Sequence, residues 1–359
     1  MNTSRTLILT LFALAALPAC GGDDDDSPPA APVPTDIQTA DTQTADTQTV
    51  DTQAADTQTA DTQTADTQTV DTGTPLPEGA LTLANCETSI GSDVGDFYST
   101  YFKCVNIEVS EDGTTLSTDG LPPHPSPYYP DNDPNYVEFD DRGGSHYKNP
   151  GEIAAIDYSM TIPANPVPKG ITIDASMVDN AMGTSDEEYS ASTVGIALNG
   201  VAIFAAMAAG NDVLAEEAFT FDLYEGHPAG STYHYHFETP GPLEVLVDRG
   251  ISNTSEPGAG NVELYGIMCD GTIVLGCTEL DGSEPDDSDF DAQNGQIGDI
   301  SDGTTTFFED RYHVHVCPDK WPDYPFFPEI AYYETTSCVG PGGGGGGQGP
   351  PPGGGPPGP

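Results

Sequence analysis

Two segments of the chain repeat one order of motifs, and this duplication constrains the fold more than any other feature of the sequence. Each copy opens with an apolar hairpin sequence that turns at Asn199-Gly200 or at Asp270-Gly271, dipeptides suited to a type I′ turn. An Asp-x-x-x-Gly motif follows, starting at Asp222 or Asp291, and a His-x-His motif comes last. The shared order predicts two related halves around a pseudo-twofold axis.

The His-x-His motifs predict a metal site if they lie on strands. Side chains alternate between the two faces of a strand, so His234 and His236 share one face, as do His313 and His315. Neighbouring imidazoles on one face can bind the same ion. His227, which precedes the first motif, brings five of the seven histidines into the two copies.

These five histidines are expected to meet at one centre shared by the two halves. Imidazole ligands suit Zn²⁺, Cu²⁺ or a similar divalent ion, and Asp222 or Asp291 could orient a ligand or supply an oxygen. Cys317 continues the face of the second motif and is a further candidate ligand. The alternative is that the histidines only pack in a half-buried sheet and bind no metal.

The folded region predicts an all-β domain of mostly antiparallel sheets. Its apolar segments are short, rich in β-branched and aromatic residues, and bounded by Gly, Pro, Asn and Asp. Leu243–Val247 is expected to be one such strand, and helical periodicity occurs only around Asp212–Ala218. The proline-rich stretch 121–135 predicts an extended crossing on the surface.

The first twenty residues are typical of an export signal. Arg5 precedes an apolar run from Leu7 to Leu17 that is too short to span a bilayer, and the segment ends in Leu-Pro-Ala-Cys. This ending resembles a bacterial lipobox, in which Cys20 carries the lipid anchor. We therefore expect a lipoprotein of the bacterial cell envelope, most simply in the outer membrane, with its domain in the periplasm or at the surface.

Composition divides the rest of the chain. Residues 21–79 repeat an acidic Thr/Gln/Asp unit every five residues and carry no apolar face, so they predict a disordered, extended linker. Residues 340–359 are Gly and Pro apart from Gln348, and they predict a disordered tail. The β domain is therefore expected over residues 80–339.

The excess of acidic residues bears on two possible binding partners, nucleic acid and calcium ions. With 58 acidic and 8 basic side chains, the formal net charge is −50, which argues against nucleic acid because a phosphate backbone would be repelled. The segments Asp286–Asp291 and Asp131–Asn135 space oxygen atoms as calcium loops do, although the first lacks the EF-hand glycine and glutamate. Calcium binding and a solvated acidic surface are both open for these loops.

Six cysteines remain for disulfides once Cys20 is assigned to the anchor. An even number in an exported chain favours disulfides, and this parity argues against Cys317 as a metal ligand. Because six cysteines allow fifteen connectivities, pairing of neighbours along the sequence is only the simplest expectation. It gives the pairs Cys86–Cys104, Cys269–Cys277 and Cys317–Cys338.

Three functions remain open after the common enzyme motifs are considered. The sequence contains no GxSxG, HExxH, P-loop or strand–GxGxxG–helix motif, which argues against the enzymes that use them. The first function is a metal-binding surface lipoprotein. The second is a metal-dependent hydrolase or redox enzyme with an open coordination position, for which Asp270, Glu279 or Asp281 is a candidate base. The third is a structural or ligand-binding module without metal.

One part of the sequence resembles a named family. Residues 232–236 are TYHYH and follow Gly226-His227, which is similar to the signature of the YHYH domain family of exported bacterial proteins. Further similar stretches are GLPPHPSPYYP (120–130), IPANPVPKGITI (162–173), GIALNGVAIF (195–204), LYGIMCDGTIVLGCTELDGS (264–283) and RYHVHVCP (311–318). In the second copy Val314 replaces a tyrosine, and Gln296 stands where a histidine is expected. The resemblance covers about residues 105–339 and implies a fold with a His-rich site, without implying a reaction.

Overall fold

The computed structural model describes most of the chain after residue 75. The described residues are 76–140, 142, 146–180, 182–183, 185–208, 214–335 and 338. They form two mixed β-sheets with few helical residues, which confirms the predicted β class. The expected export signal with Cys20, the linker up to residue 75 and the tail from residue 340 lie outside the described residues. None of the helices in the described part of the chain has the length and hydropathy of a membrane span.

The smaller sheet is formed by the N-terminal strands in the order β1-β2-β3-β4. These strands are β1 (Ser89–Ile90), β2 (Asn106–Val109), β3 (Gly113–Thr118) and β4 (Tyr158–Pro163). Helix α1 (Asp96–Tyr101) lies between β1 and β2, and its aromatic side chains are buried. Ile107 and Leu116 are opposite one another on β2 and β3 and are fully buried, so this pair anchors the sheet in the core.

The larger sheet contains the two repeats side by side, in the order β11-β12-β10-β9-β5-β6-β8-β7. The first repeat supplies β5 (Gly195–Ala197), β6 (Ala202–Ile203), β7 (Gly226–Ala229) and β8 (Thr232–Tyr235). The second supplies β9 (Leu264–Met268), β10 (Ile273–Leu275), β11 (Gly295–Ser301) and β12 (Thr306–His315). Helix α2 (Leu214–Glu217), which confirms the predicted helical turn, lies between β6 and β7, and helix α3 (Pro240–Asp248) follows β8.

The pseudo-twofold relation between the repeats is visible in the strand register. Strands β5 and β9 are antiparallel neighbours at the middle of the sheet, and Ile196 pairs with Ile267, its own counterpart in the second repeat. Outward from this pair, each repeat has an antiparallel, then a parallel, then an antiparallel pairing. The duplication inferred from motif order is therefore a duplication of structure, with its axis between Ile196 and Ile267.

One row of register partners crosses all eight strands and shows where the two motifs lie. From one edge to the other, the row consists of His227, His234, Ala202, Ile196, Ile267, Ile273, His313 and Gln296. Residues paired in this way project from the same face of a sheet. Both His-x-His motifs therefore use one face, and four buried apolar side chains separate them.

The two central hairpins form where predicted, but not with the predicted turn type. A type I′ turn needs positive φ at two consecutive residues. Only the glycine is left-handed here, with φ of +81° at Gly200 and +100° at Gly271. The backbone hydrogen bonds that close the two turns run from Gly200 N–H to the Ala197 carbonyl and from Gly271 N–H to the Met268 carbonyl. Each turn is therefore centred one residue earlier in the sequence than predicted. A side chain at residue 200 would also collide with the Cys104 carbonyl, so the close approach of this turn to the Cys104 backbone requires glycine.

Two other sequence expectations are corrected. Leu243–Val247 is not a strand but part of α3, which begins after Thr239, whose hydroxyl caps Gly241 N–H, and has Pro240 at its first position. The 121–135 segment is irregular as predicted, but much of it is buried instead of lying on the surface. Its side chains satisfy backbone groups in the interior, as in the bond from Tyr129 O–H to the Pro122 carbonyl.

One of the three expected disulfide pairs is present, and the other two expected pairs are wrong. Cys86–Cys104 is present, whereas the other bonds are Cys269–Cys338 and Cys277–Cys317. Cys269 lies at the turn end of the β9–β10 hairpin and Cys277 lies at its open end, so these two cannot meet. Strands β10 and β12 instead run parallel with Leu275 opposite His315, which places Cys277 and Cys317 side by side two residues later. Cys317 is therefore in a disulfide and is not a metal ligand.

Candidate metal centres

Each repeat builds its own group of potential metal ligands, at opposite ends of the cross-sheet row. The three-histidine centre consists of His227, His234 and His236. The two-histidine centre consists of His313, His315 and Glu279. In each, one ligand atom per residue lies within 4.8 Å of the others.

The predicted single centre shared by all five histidines is wrong. Strands β8 and β12 are separated by β6, β5, β9 and β10, which at about 4.8 Å per strand step places them about 24 Å apart across the sheet. The reason is the parallel step in each repeat, from β6 to β8 and from β10 to β12, which carries each His-x-His strand away from the axis. The histidines pair within each repeat and not between repeats.

The three-histidine centre has the spacing of a metal-ligand set. His234 Nε2 lies 3.1 Å from His227 Nε2 and 2.9 Å from His236 Nε2. Around a tetrahedral zinc ion with Zn–N bonds of about 2.0–2.1 Å, neighbouring ligand nitrogens are about 3.3 Å apart. The two distances from His234 Nε2 are therefore within a few tenths of an ångström of what one ion requires, and all three ligand atoms lie within 4.8 Å of one another.

The other ring nitrogens fix which atoms face the centre. Nδ1 of His234 lies 3.1 Å from the Thr232 carbonyl and Nδ1 of His236 lies 2.8 Å from the Ala205 carbonyl. A carbonyl only accepts, so Nδ1 carries the proton in both neutral rings and Nε2 carries a lone pair. His227 Nδ1 lies 2.6 Å from the Thr220 hydroxyl, which donates its own proton to the Glu217 carbonyl and so accepts from Nδ1. Such outer contacts orient imidazoles in metal sites.

The environment keeps these imidazoles neutral. His234 is 2 % exposed, and this burial lowers its pKa well below the ordinary value. The neighbouring His227 and His236 lower the pKa further. Burial also lowers the pKa of His227 well below the ordinary value, and it lowers that of His236 to about 4. Near neutral pH, therefore, no additional proton is bound between the three Nε2 atoms. The centre favours an ion that binds neutral imidazole.

A carboxylate that the sequence did not indicate lies beside the three-histidine centre. Glu217, at the end of α2, places Oε2 3.5 Å from His236 Nε2 and 4.0 Å from His227 Nε2. Its side chain is 24 % exposed, whereas the three rings are almost fully buried. Glu217 is therefore both a candidate fourth ligand and the part of the centre that solvent reaches.

The two-histidine centre repeats this plan with one ligand exchanged. His313 Nδ1 lies 3.0 Å from the Arg311 carbonyl and His315 Nδ1 lies 2.9 Å from the Gly276 carbonyl, so both Nε2 atoms face inward. Glu279 Oε1 lies 3.6 and 3.4 Å from these two Nε2 atoms. Gln296 takes the place that His227 has in the first repeat.

The carboxylate of Glu279 is tuned to stay ionised. Burial alone would raise its pKa, but the closeness of the His313 and His315 imidazoles outweighs burial and lowers the pKa to about 2. His315 is fully buried, and its Nε2 has no hydrogen-bond partner among the described atoms. A buried nitrogen without a partner beside an ionised carboxylate fits a cation at this position.

The predicted outer-shell aspartates hold the sheet and not the imidazoles. Asp222 accepts a hydrogen bond from Tyr233 O–H at 2.8 Å, and Asp291 accepts one from Tyr312 O–H at 2.7 Å. Tyr233 and Tyr312 directly precede His234 and His313 along their strands, so these bonds form on the face opposite to the centres. Both aspartates also accept from backbone N–H groups of the following turn, so they fix where β7 and β11 begin.

The remaining acidic candidates have structural partners. Asp270 is fully buried and accepts from the Thr272 and Tyr333 N–H groups, and Asp281 accepts from Ser283. Of the three candidate bases, only Glu279 lies at a centre. In the possible calcium loops, Asp286 caps a short 3-10 turn, and Asn135 holds the backbone of Leu81. Within the described residues, neither loop brings three carboxylates together.

Acid should destabilise the metal-free protein through His124, a buried histidine outside both centres. Burial lowers the pKa of His124 to about 3, although its bond to the Pro125 carbonyl raises it. Because the folded state favours the neutral ring, this contribution is complete above the unfolded pKa of about 6.5 and is lost as pH falls toward 3. At pH 4 the loss should reach about 3 kcal/mol.

Denaturant unfolding of metal-free wild type and His124→Gln at pH 7, 5.5 and 4 measures this effect. The free energy of unfolding should fall more steeply with acid in the wild type, since glutamine does not titrate. If the free energy of unfolding fell equally with acid in both proteins, His124 would not be a source of the acid destabilisation.

The fold and its sites define a mostly β protein with two His-rich groups that can hold metal ions. A scan against protein-family models found no match, and searches of curated proteins and of solved structures found none either. The resemblance to the YHYH domain family therefore stays a prediction from the residues quoted above.

Proposed function

We propose that this protein is an exported, lipid-anchored metal-binding protein whose three-histidine centre holds a divalent transition ion, with zinc and copper best suited. The observation that carries the proposal is the approach of three imidazole Nε2 lone pairs to 2.9 and 3.1 Å in a buried site. Lone pairs at this distance repel one another unless a cation lies between them. A proton is disfavoured by burial, so a metal ion is the partner that such a set requires.

The ligand set favours holding an ion over catalysis. With Glu217 as the fourth donor, every position of a tetrahedral ion is supplied by the protein, as in structural zinc sites. A hydrolytic or redox centre keeps a position for substrate or water. The three-histidine centre therefore serves capture or retention of the ion, or stabilisation of the first repeat.

The cellular context of the proposal comes from other parts of the chain. Three disulfides are compatible with an exported protein, because such bonds persist in oxidising compartments. The export signal with its lipobox-like Cys20 supports anchoring in the bacterial envelope, and the acidic linker would give the domain reach from the membrane. The resemblance to exported YHYH domain proteins points the same way.

Calorimetric titration of the full-length, metal-free protein with zinc tests the proposal. We expect a tight, saturable phase with one ion per chain, because the ligand atoms are already in place. His236→Ala should lose this phase, while His146→Ala, which replaces a histidine outside both centres, should keep it. A folded wild-type protein that binds neither zinc nor copper would overturn the proposal.

A further inference from the structure

We infer that the second repeat carries a separate and weaker metal centre, in which His313, His315 and Glu279 hold a divalent transition ion and leave one position open to water or a small anion. The inference rests on the proposed function only in taking the same class of ligand, a divalent transition ion. The two centres share no residue, and buried apolar side chains separate them in the sheet. Binding at one can therefore fail while binding at the other persists.

Two independent features mark the second centre as a built site. Both Nδ1 atoms are bound to backbone carbonyls, which directs Nε2 of His313 and His315 toward Glu279. These carbonyls belong to Arg311 and Gly276, the counterparts of Thr232 and Ala205 in the first repeat. In addition, His315 Nε2 is buried without a hydrogen-bond partner among the described atoms. Two histidines and a glutamate form a ligand set found in zinc sites that keep a fourth position open.

Gln296 is the reason to expect weaker binding. It is the register partner of His313, as His227 is of His234. Its amide Nε2 lies 2.8 Å from Glu279 Oε1 and 3.3 Å from His313 Nε2. An amide NH₂ donates hydrogen bonds and offers no lone pair, so it competes with an ion for these two ligands. The second centre thus has one donor fewer than the first and a neutral group that binds its ligands in the ion's place.

Replacing Gln296 with histidine and, in a separate variant, His227 with glutamine tests the inference in the full chain. In a His234→Ala background, which disables the first centre, cobalt titration followed by absorbance should report the second centre alone. Adding Gln296→His should tighten cobalt binding about tenfold or more, since outer-shell changes alone alter metal affinity by about 10–100-fold. In the otherwise wild-type chain, His227→Gln should weaken the first centre by a similar factor.

The matched control is Ile297→His in the same background. Residue 297 is the exposed neighbour of Gln296 on β11 and faces away from the centre, so the cobalt affinity should not change. Loss of all binding in His234→Ala, with one ion bound by wild type, would overturn the second centre and leave the proposed function intact. Absence of binding in wild type would overturn both. An unchanged affinity after Gln296→His would overturn the role given to Gln296.

The open position has its own readout. Azide added to the cobalt-loaded His234→Ala protein should change the cobalt absorption, because a small anion can enter the fourth position. The same addition should leave the first centre unchanged in a His313→Ala protein, where Glu217 fills that position. A spectrum that azide does not alter in the His234→Ala protein would overturn the open coordination.

Discussion

Replacing His234 with alanine should abolish most of the thermal stabilisation that zinc gives to the wild-type protein. His234 is the central ligand, since its Nε2 approaches both His227 and His236. An ion present at a thousand times its dissociation constant stabilises a fold by about 4 kcal/mol. For a domain of this size, that corresponds to a rise in Tm of roughly 8–16 °C. The variant should keep only the part contributed by the second centre.

Calorimetric melting with and without zinc measures this difference, and His124→Gln is its control. His124 is as buried as His234 but belongs to neither centre. His124→Gln is expected to lower the Tm of the metal-free protein and to keep the full zinc increment. An increment that survives in His234→Ala would show that zinc acts elsewhere.

Removing the Cys277–Cys317 disulfide should destabilise the domain and weaken the second centre selectively. The bond closes a loop of 40 residues, which corresponds to about 4 kcal/mol in the chain-entropy treatment. Cys317 lies two residues after His315, and Cys277 follows Gly276, whose carbonyl orients that ring. The double variant Cys277→Ser, Cys317→Ser should therefore bind cobalt at the second centre at least about tenfold more weakly.

The pair Cys86–Cys104 provides the comparison, because it closes a loop of 18 residues beside the small sheet. Its removal should cost about 3 kcal/mol and leave both metal affinities unchanged. Affinities are measured below the melting temperature of each variant, so that unfolding does not contribute. Equal weakening of both centres in the Cys277→Ser, Cys317→Ser protein would refute a local role for that bond.

The features that depend on local periodicity could be predicted from the sequence. Alternation along a strand correctly placed His234 and His236 on one face and Tyr233 on the other, where it meets Asp222. The motif order correctly indicated two related halves. Strand order is not local, however. The sequence does not reveal that β5 pairs with β9, and this pairing puts the His-x-His strands far apart.

The carboxylate ligands show a second limit. Glu217 and Glu279 are 62 residues apart, whereas the aligned motifs are 69 to 79 apart, so comparison of the repeats could not match them. Each comes from the connection between a central hairpin and a His-x-His hairpin, but one lies on α2 and the other in a loop. The helix that contains Leu243–Val247 shows a third limit. Thr239 and Pro240 are start signals for a helix, but the β-branched composition of the segment favours a strand.

The pairing of Ile196 with Ile267 means that one chain builds by itself the kind of interface that a symmetric homodimer forms from two copies. In a homodimer every substitution appears twice, so both ligand sets must change together. A fused pair has no such restriction, and one half can keep a demanding role while the other varies. The two repeats differ in this way at equivalent register positions, where one has His227 and the other Gln296, a difference that a homodimer of identical chains could not have.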